Sequence, residues 1–438
     1  MHIGIIGGGL MGVALAYYLT KLGERVTLLE QSSDLGGLNG AIRFPDGLTV
    51  ARYQHVILPT DTHVRDLCAG LGLSDELVFS EAPTGFVQGG QLYAMTTLRD
   101  FLMFTPLSMT ARLRLGRLIL LARRTQDWRG LDRVRVKQWL IEVGGQELFE
   151  RIWRPLLDAK FDGVYSDIPA TYIWAWLNRM SAIRRGPQMR GYTGYLLRGH
   201  SSLIQALADA LTAAGGRIET QVRVREIDIS GGALQQVRTL SGTMHFDALV
   251  AAVATPAFAR LIPGADEGYL ARLQRSKYQG LICPVMVLDQ PLSAYWTLNV
   301  TDGASPFSTI IETEHAEYPE LHVVYLPKYT APDNDWMGVS DDEIREAWLN
   351  HLKHLFPHFN ESHVLHFAVS RSRYVEPVHS VNALETVASV ETPYRGLYLA
   401  NTSQVYPELP TSEAAIAHAR QVAQLVHQQR NSPVGVAS

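Results

Sequence analysis

The sequence predicts an α/β protein of more than one domain, whose first domain is interrupted and resumed along the chain. Three observations lead to this fold class. A strand, a glycine-rich turn, a helix and a second strand follow one another at the amino terminus, and a strand-and-helix pattern returns near residue 191 after a long helical stretch. A buried strand, a polar turn and a long helix then follow near the carboxyl end. Strands alternating with helices are typical of parallel sheets.

Length and composition agree with this fold class. The 438 residues exceed what one hydrophobic core normally holds, so two or three domains are expected. The chain is 46% hydrophobic and 19% charged with a net charge of −4, which argues against a nucleic-acid-binding protein. No basic stretch precedes the first apolar run and no run of about 18 apolar residues occurs, so neither a signal peptide nor a membrane span is expected. Two distant cysteines, Cys68 and Cys283, predict no metal cluster and fit a cytoplasmic protein.

The amino-terminal unit carries the strongest motif. The strand HIGIIG leads into a G-x-G-x-x-G motif, whose glycines are Gly7, Gly9 and Gly12, with Leu10 and Met11 between the last two. A helical pattern follows, and the next strand, RVTLLE, ends at Glu30, with Gln31 beside it. Such glycines let the backbone approach a pyrophosphate at a helix N-terminus, and the terminal acid accepts hydrogen bonds from a ribose. This order predicts a dinucleotide site, with an ordinary structural turn as the alternative.

A second glycine pair, Gly36 and Gly37, follows the acid at a short distance and precedes Leu38. Glycines at this place let a second loop run close to the same cofactor. The arrangement resembles the extended fingerprint of flavoproteins that have a glutathione-reductase-like FAD domain, and plain nicotinamide dehydrogenases do not usually carry it. The alternative is a flexible turn after the strand.

The middle of the chain, up to about residue 190, has a mostly helical pattern with few strand signals. Its region 110–137 is rich in arginine, with apolar residues on one helical face. An ordinary helix with a solvated basic face explains this pattern, and peripheral contact with a membrane or with an anionic substrate is the alternative. The stretch that follows is dense in aromatic residues, which more often indicates a packed core than a substrate pocket.

The α/β pattern then resumes with a helix over Ser202–Ala214 and several strands, one of which ends in the small-residue turn Ala254-Thr255-Pro256. A strand-rich segment follows, and then an amphipathic helix for which Ser340 is the predicted N-cap. The last predicted helix begins near Thr411-Ser412-Glu413, after a buried strand. The N–H groups and the dipole at the N-terminus of this helix favour negative charge. The N1–C2=O edge of a flavin carries such a charge when the flavin is reduced.

In the order of its segments, the chain resembles the superfamily of flavin-dependent amine oxidases, protoporphyrinogen oxidases and phytoene desaturases. The resemblance implies a discontinuous, glutathione-reductase-like Rossmann domain that binds FAD, and an α+β substrate domain with a helical insertion. The FAD-binding domain would comprise residues 1–58, 191–270 and 386–430, the substrate domain 59–190 and 271–385, and the flexible tail 431–438.

The same resemblance implies further FAD contacts, from Val224, Ala254, Asn401, Thr411, Ser412 and Ala415. In two places the chain departs from the family pattern. Leu38 and Asn39 replace the arginine that often follows the second glycine pair, and Asn401 lies where an acid is common. Because no cysteine lies near the closing segment, the FAD is expected to be bound non-covalently.

Two candidate catalytic residues also come from the resemblance. Lys328 lies in a predicted strand of the substrate domain, where some amine oxidases have a lysine that holds water near flavin N5. His55 lies where relatives bring a loop towards the flavin. Solvated or structural roles are the alternatives for both.

The predicted function is removal of hydride from a partly apolar small molecule to flavin N5, with reoxidation by O2 or another acceptor. An amine, a porphyrinogen and a polyene all remain open as substrates. The alternatives are a non-redox flavoenzyme of the UDP-galactopyranose mutase type, acting on a sugar nucleotide, and a non-catalytic FAD-binding protein. No metal and no nucleic-acid partner are predicted, and the oligomeric state stays open.

Overall fold

The computed structural model of the protein describes residues 1–182, 184–185, 190–303, 305–315 and 317–429. The predicted tail 431–438 and the last residue of the predicted segment 386–430 lie outside the described residues. Over the described residues, no helix combines the length and the hydrophobicity needed to cross a bilayer.

A five-stranded parallel sheet joins the amino-terminal unit to two later parts of the chain. From edge to edge, its strands are Arg217–Glu219, Arg25–Leu29, His2–Ile6, Ala248–Ala251 and Leu397–Leu399. Alternate residues along these strands enter two different apolar cores, one on each face of the sheet. A parallel sheet buried on both faces explains why the strands are almost continuously apolar.

Four helices cover one face of this sheet. They are the glycine helix (Leu10–Lys21), Thr62–Gly70, His200–Ala213 and the closing helix (Ser412–Gln429). The other face is covered by an antiparallel sheet of Val224–Asp228, Gln236–Thr239 and Thr243–Met244, together with the helices Thr255–Leu261 and Glu267–Gln274. Because Thr62–Gly70 packs in the first core, that core continues past the predicted domain boundary at residue 58.

A larger sheet of eight strands forms the second part of the fold. In order, its strands are Lys328–Thr330, Lys277–Leu288, His322–Tyr325, Thr309–Glu314, Thr297–Val300, Thr84–Gln88 and Gln91–Ala94, and Val364–Val378 also pairs with Lys277–Leu288. The helix Asp341–Leu355 packs on one face, and Ser340 caps it in a reciprocal capping box with Glu343, as the sequence predicts. The other face supports the loop around Tyr53.

The prediction that the middle of the chain has few strands is wrong for residues 77–94. Leu77–Glu81 pairs with Arg190–Leu196, while Thr84–Gln88 and Gln91–Ala94 form a hairpin in the larger sheet. The hairpin turn is Gly89-Gly90, where both residues have positive φ. A glycine pair between two short runs of alternating apolar and polar residues indicates a β-hairpin. The helical periodicity of the neighbouring segments hid this signal.

The rest of the middle segment forms a helical layer around its own core. Its helices are Leu98–Met103, Met109–Arg124, Val136–Gly144, Gln146–Leu148, Arg154–Phe161 and Thr171–Ala182, with a π-helical turn at Phe149–Trp153. The aromatic stretch of the sequence packs here, with Trp153 and Phe161 buried and Trp176 partly buried against them. The prediction of a packed core is confirmed.

The remaining described elements are short. The strands Ala41–Arg43 and Thr49–Ala51 form a hairpin, and Arg184–Arg185 pairs with Arg190–Leu196. Single helical turns occur at Gly37–Asn39, Ser74–Glu76, Leu131–Arg133, Ser230–Gly232, Asp335–Gly338, Glu361–His363, Ala383–Glu385 and Thr402–Val405. Of these turns, Gly37–Asn39 and Thr402–Val405 lie at the candidate site.

Candidate active site

The glycine turn lies at the carboxyl end of the central strand. Gly7 has a φ of +107°, which side chains rarely adopt, and its N–H donates to the carbonyl of Leu29. A Cβ on Gly12 would lie 1.9 Å from the carbonyl oxygen of Gly7, so only glycine lets the helix start this close to the turn. Gly9 differs, because a Cβ there would meet nothing within 4 Å. Gly7 and Gly12 therefore shape the turn, and Gly9 leaves the space above it free.

Glu30 holds the turn from the neighbouring strand. Its carboxylate accepts hydrogen bonds from the N–H of Gly8 at 2.7 Å and of Ser32 at 2.8 Å. A carboxylate has about four acceptor positions, so the same group has capacity left for ribose hydroxyls. The adjacent Gln31 is exposed and does not line the cleft described below.

The second glycine pair packs directly on the first turn. The Gly36 N–H donates to the carbonyl of Gly8 at 2.8 Å, and a Cβ on Gly37 would lie 3.3 Å from the Cα of Gly9. Both residues have positive φ, at +113° and +55°. This contact brings the next residues, Leu38 and Asn39, to the open side of Gly9.

A cleft of about 180 Å³ opens between the glycine helix and the closing helix. Most of the predicted site residues line it: Gly9, Leu10, Met11, Gly36, Leu38, His55, Ala254, Asn401, Thr411, Ser412 and Ala415. Two helix N-termini therefore face one cleft, and each presents N–H groups that have no partner within its helix. Both helix dipoles favour negative charge in this cleft.

Asn401 organises the turn that precedes the closing helix. Its side-chain amide donates to the carbonyl of Val253 at 3.0 Å and to the hydroxyl of Thr255 at 3.1 Å. Its side-chain oxygen accepts from the N–H and the hydroxyl of Ser403. Asn401 is buried, so these bonds connect the ends of two strands of the parallel sheet beneath the cleft.

An asparagine and two tyrosines are among the other residues that line the cleft. Asn39 is buried, and its Nδ2 has no hydrogen-bond partner among the described residues. Tyr278 and Tyr374 line the cleft from neighbouring strands of the larger sheet, with ring centroids 5.8 Å apart. Burial raises the pKa of Tyr278, whose hydroxyl lies near Thr255. Only the departure at Asn39 was visible in the sequence; the pairing of the tyrosines depends on strand register.

His55 lies at the junction between this cleft and a wider cavity of about 720 Å³. Its Nε2 is 3.0 Å from the carbonyl oxygen of Leu38, and its ring centroid lies 5.0 Å from that of His200. Burial lowers the pKa of His55 and lowers that of His200 further. The Nε2 of His200 is buried without a partner among the described residues. Both imidazoles are therefore neutral at neutral pH.

The structure does not bring Lys328 to the cleft. Its Nζ lies 5.9 Å from the ring centroid of Trp336, and the residue is absent from the lining. The strand prediction was right, but the strand Lys328–Thr330 is at the edge of the larger sheet. Val224 also lies outside the lining, with its side chain in the core behind the parallel sheet. The contact of Val224 with FAD stays a prediction.

Neither cysteine lines the cleft. Cys68 is buried in the core of the parallel sheet, and Cys283 in the core beneath the loop around Tyr53. Burial raises the pKa of Cys68 to about 11 and that of Cys283 to about 12. Both are thiols rather than thiolates at neutral pH, and non-covalent binding of the cofactor stays the prediction.

The residues present fit a flavin dinucleotide. The cleft is lined by Gly9, which has no side chain, and by Asn39, whose buried Nδ2 has no partner among the described residues. Glu30 is not in the lining, but it holds the adjacent glycine turn and has acceptor positions left for a ribose. The far end of the cleft is the N-terminus of the closing helix, which suits the pyrimidine edge of a flavin ring. Together these features provide for the charged and the polar parts of such a group.

Acid is expected to destabilise the protein through buried neutral histidines. Burial lowers the pKa of both His379 and His418 to about 4. His418 lies on the closing helix, with its Nε2 3.0 Å from the Gln404 side-chain oxygen that also accepts from the Asn401 N–H. Unfolded histidines titrate near pH 6.5, so between about pH 6.5 and 4 the unfolded state binds more protons. The free energy of unfolding should therefore decrease as the pH is lowered through this window, by at most about 3 kcal/mol for each histidine.

Urea unfolding of the FAD-loaded protein at pH 7 and pH 5 measures this effect. His418→Gln keeps a side-chain amide beside Gln404 and removes the titration, so its unfolding free energy should fall less between the two pH values. An unchanged difference in the variant would show that His418 does not contribute.

Comparisons with known proteins identify relatives of this chain. The family model of flavin-containing amine oxidoreductases matches residues 10–427. The chain is 23% identical to the 15-cis-phytoene desaturase of Glycine max, over 98% of this chain and 80% of that protein. It is 25% identical to the zeta-carotene desaturase of Synechocystis, over 60% of this chain and 59% of that protein.

Solved structures share the fold. One is an Exiguobacterium protein provisionally assigned as a protoporphyrinogen oxidase, with a TM-score of 0.76 and 20% identity over 98% of this chain and 99% of that one. Another is the cyclohexylamine oxidase of Brevibacterium oxydans, with a TM-score of 0.72 and 15% identity over 98% and 99% of the two chains. With the family match over nearly the whole chain, these findings show that the protein belongs to the flavin-containing amine oxidoreductases and is an FAD-dependent oxidoreductase.

Proposed function

We propose that this enzyme removes hydride from a partly apolar small molecule, of the polyene, porphyrinogen or amine type, at an FAD held in the cleft. The observation that carries the proposal is the position of the cleft. It runs from the glycine turn to the N-terminus of the closing helix and meets a cavity of about 720 Å³ at His55. The bound flavin supplies the hydride-accepting chemistry.

The proposed contacts follow the cleft from one end to the other. Glu30 accepts from the ribose, and the first N–H groups of the glycine helix, at Leu10 and Met11, hold the pyrophosphate. Thr411 and Ser412 place the closing helix against the flavin ring. We assign the parallel sheet and its covering elements to a discontinuous Rossmann domain of the glutathione-reductase type, comprising residues 1–58, 191–270 and 386–430, with the helix Thr62–Gly70 added to its core.

The substrate domain, 59–190 and 271–385, would close the cleft. Two tyrosines of its larger sheet, Tyr278 and Tyr374, line the cleft. With FAD bound, both rings would exclude water from it. Holding the reacting carbon against the ring and excluding water supply much of what hydride transfer needs, so no protein base is required. His55, buried and neutral, donates its Nε2–H to the carbonyl of Leu38, so its Nδ1 would accept one hydrogen bond where substrate enters.

The wider cavity supports a partly apolar substrate. Aromatic rings line it, from Tyr195, Tyr295, Trp296 and Tyr325, and so do Glu314 and Glu317. The rings suit a polyene or a porphyrinogen, and the carboxylates of these two residues suit an amine. Desaturases of phytoene and zeta-carotene among the sequence relatives favour a polyene.

The visible spectrum and anaerobic bleaching test the proposal. We expect purified enzyme to show the two absorption bands of oxidised flavin. Under anaerobic conditions, one member of a panel of phytoene, a porphyrinogen and primary amines should bleach these bands without NAD(P)H, and an acceptor should restore them. Turnover of a sugar nucleotide only after prior reduction, with no bleaching by the panel, would contradict the proposal and favour a non-redox enzyme.

A further inference from the structure

The outer surface of the helical layer carries a cluster of exposed apolar side chains. Seven of the fifteen large apolar side chains exposed among the described residues lie between residues 98 and 121: Leu98, Leu102, Met103, Met109, Leu113, Leu120 and Leu121. Single exposed apolar residues are ordinary, but a group concentrated on two helices that contact each other marks an interaction surface. We call the surface of the helices Leu98–Met103 and Met109–Arg124 the basic apolar patch.

The long helix of this patch is apolar on two opposite sides. Ala111, Leu118 and Ala122 face the core of the helical layer. Met109 and Leu113 lie four residues apart on the outward side, and Leu113 is 67% exposed. A helix with a merely solvated outer face would carry polar residues there. The outward side of this helix therefore carries exposed apolar side chains together with exposed arginines.

Positive charge predominates along the segment that carries these apolar side chains. Residues 98–124 contain six arginines and one aspartate, although the whole chain has a net charge of −4. The aspartate, Asp100, is occupied in capping the first helix. Arg112 donates to the carbonyls of Leu102 and Leu107 and so ties the two helices together. Other arginines, such as Arg117 and Arg124, are exposed.

We propose that the basic apolar patch docks this enzyme on the surface of an anionic lipid bilayer. Apolar side chains gain free energy by entering the acyl boundary, and arginines gain by approaching anionic headgroups. Positive charge around an apolar strip complements such a surface better than it complements a second copy of the same patch, which would repel it. The patch begins at Leu98 and ends at Arg124, so it lies further towards the amino terminus than the predicted region 110–137. The proposal depends on this surface alone and not on the flavin chemistry.

Sedimentation with vesicles tests the proposal on the FAD-loaded enzyme. Vesicles of phosphatidylcholine with an equimolar share of phosphatidylglycerol should bind the protein, and added salt should weaken binding. Leu113→Ser with Leu120→Ser should lower the partition coefficient roughly tenfold or more, because two side chains no longer enter the boundary. Arg117→Gln with Arg123→Gln and Arg124→Gln should lower it to a similar degree at low salt only.

The matched control is Leu240→Ser, because Leu240 is 66% exposed on a loop outside the patch. This variant should bind vesicles like the original protein. Equal loss in Leu240→Ser and in the patch variants, or no binding to anionic vesicles, would overturn the proposal. Light scattering without lipid tests whether the patch instead binds a second copy of the protein. If the original protein is a dimer and Leu113→Ser makes it a monomer, the patch binds a second copy and not a membrane.

Discussion

Replacing Gly9 by alanine is expected to leave the protein folded while it loses FAD. A Cβ at this position would meet no protein atom within 4 Å, and the Gly9 φ of −71° suits alanine. The methyl group would instead occupy the space above the turn, where the pyrophosphate is proposed to lie. We expect FAD affinity to fall about tenfold to a hundredfold, which corresponds to about 1.4 to 2.8 kcal/mol. Flavin absorbance and FAD titration of the stripped protein measure the loss.

Two further glycine variants separate binding from folding. Gly12→Ala places its Cβ 1.9 Å from the Gly7 carbonyl oxygen, so it should lower the thermal stability of the FAD-free protein as well. Gly116→Ala lies on an exposed helix with nothing within 4 Å, and it should change neither property for the worse. If Gly9→Ala retains full flavin occupancy and affinity, the cofactor does not pass over this turn.

Replacing Lys160 by methionine is expected to lower the stability of the protein strongly. Lys160 joins the helical layer to the larger sheet, because its Nζ lies 2.5 Å from a carboxylate oxygen of Glu376 and 3.5 Å from the ring centroid of Tyr329. Burial alone would lower the pKa of Lys160, but Glu376 beside it raises that pKa on balance, so the pair is charged. Methionine would leave a largely buried carboxylate without its partner, at a cost of about 3–5 kcal/mol in unfolding free energy.

A double-mutant cycle and a surface pair serve as controls for this change. Lys160→Met combined with Glu376→Gln should recover part of the loss, because the unpaired charge is then gone. Lys353 and Glu361 form a pair with the same 2.5 Å separation but with side chains 47% and 40% exposed. Lys353→Met should therefore cost only about 0–1 kcal/mol. Equal losses for Lys160→Met and Lys353→Met in urea unfolding would contradict the argument.

Local sequence patterns predicted the two ends of the cofactor cleft. Gly7 and Gly12 have no alternative, since a side chain at either would strain or block the turn. Asn401 and Ser412 lie at short range from the strand that positions them, so the order of segments sufficed to place them. The capping box at Ser340 is also encoded within four residues.

Contacts between residues that are far apart in the sequence could not be predicted. Tyr278 and Tyr374 meet because two strands pair in one register, and Lys160 meets Glu376 from 216 residues away. Lys328 illustrates the converse error, because its strand was predicted but not its place at the edge of the sheet, beside Trp336. A strand pattern states which residues alternate and does not state which neighbour they face.

The sequence by itself thus determined the first two strands of the parallel sheet, the glycine turn between them and the acid that follows, because backbone geometry at a dinucleotide site restricts residue types within about thirty positions. Only the tertiary structure decided what closes the cleft, where the wide cavity meets it at His55, and that apolar side chains cover the outside of an arginine-rich helix. Those features arise from packing between distant segments, where many residue types satisfy the same pattern of burial.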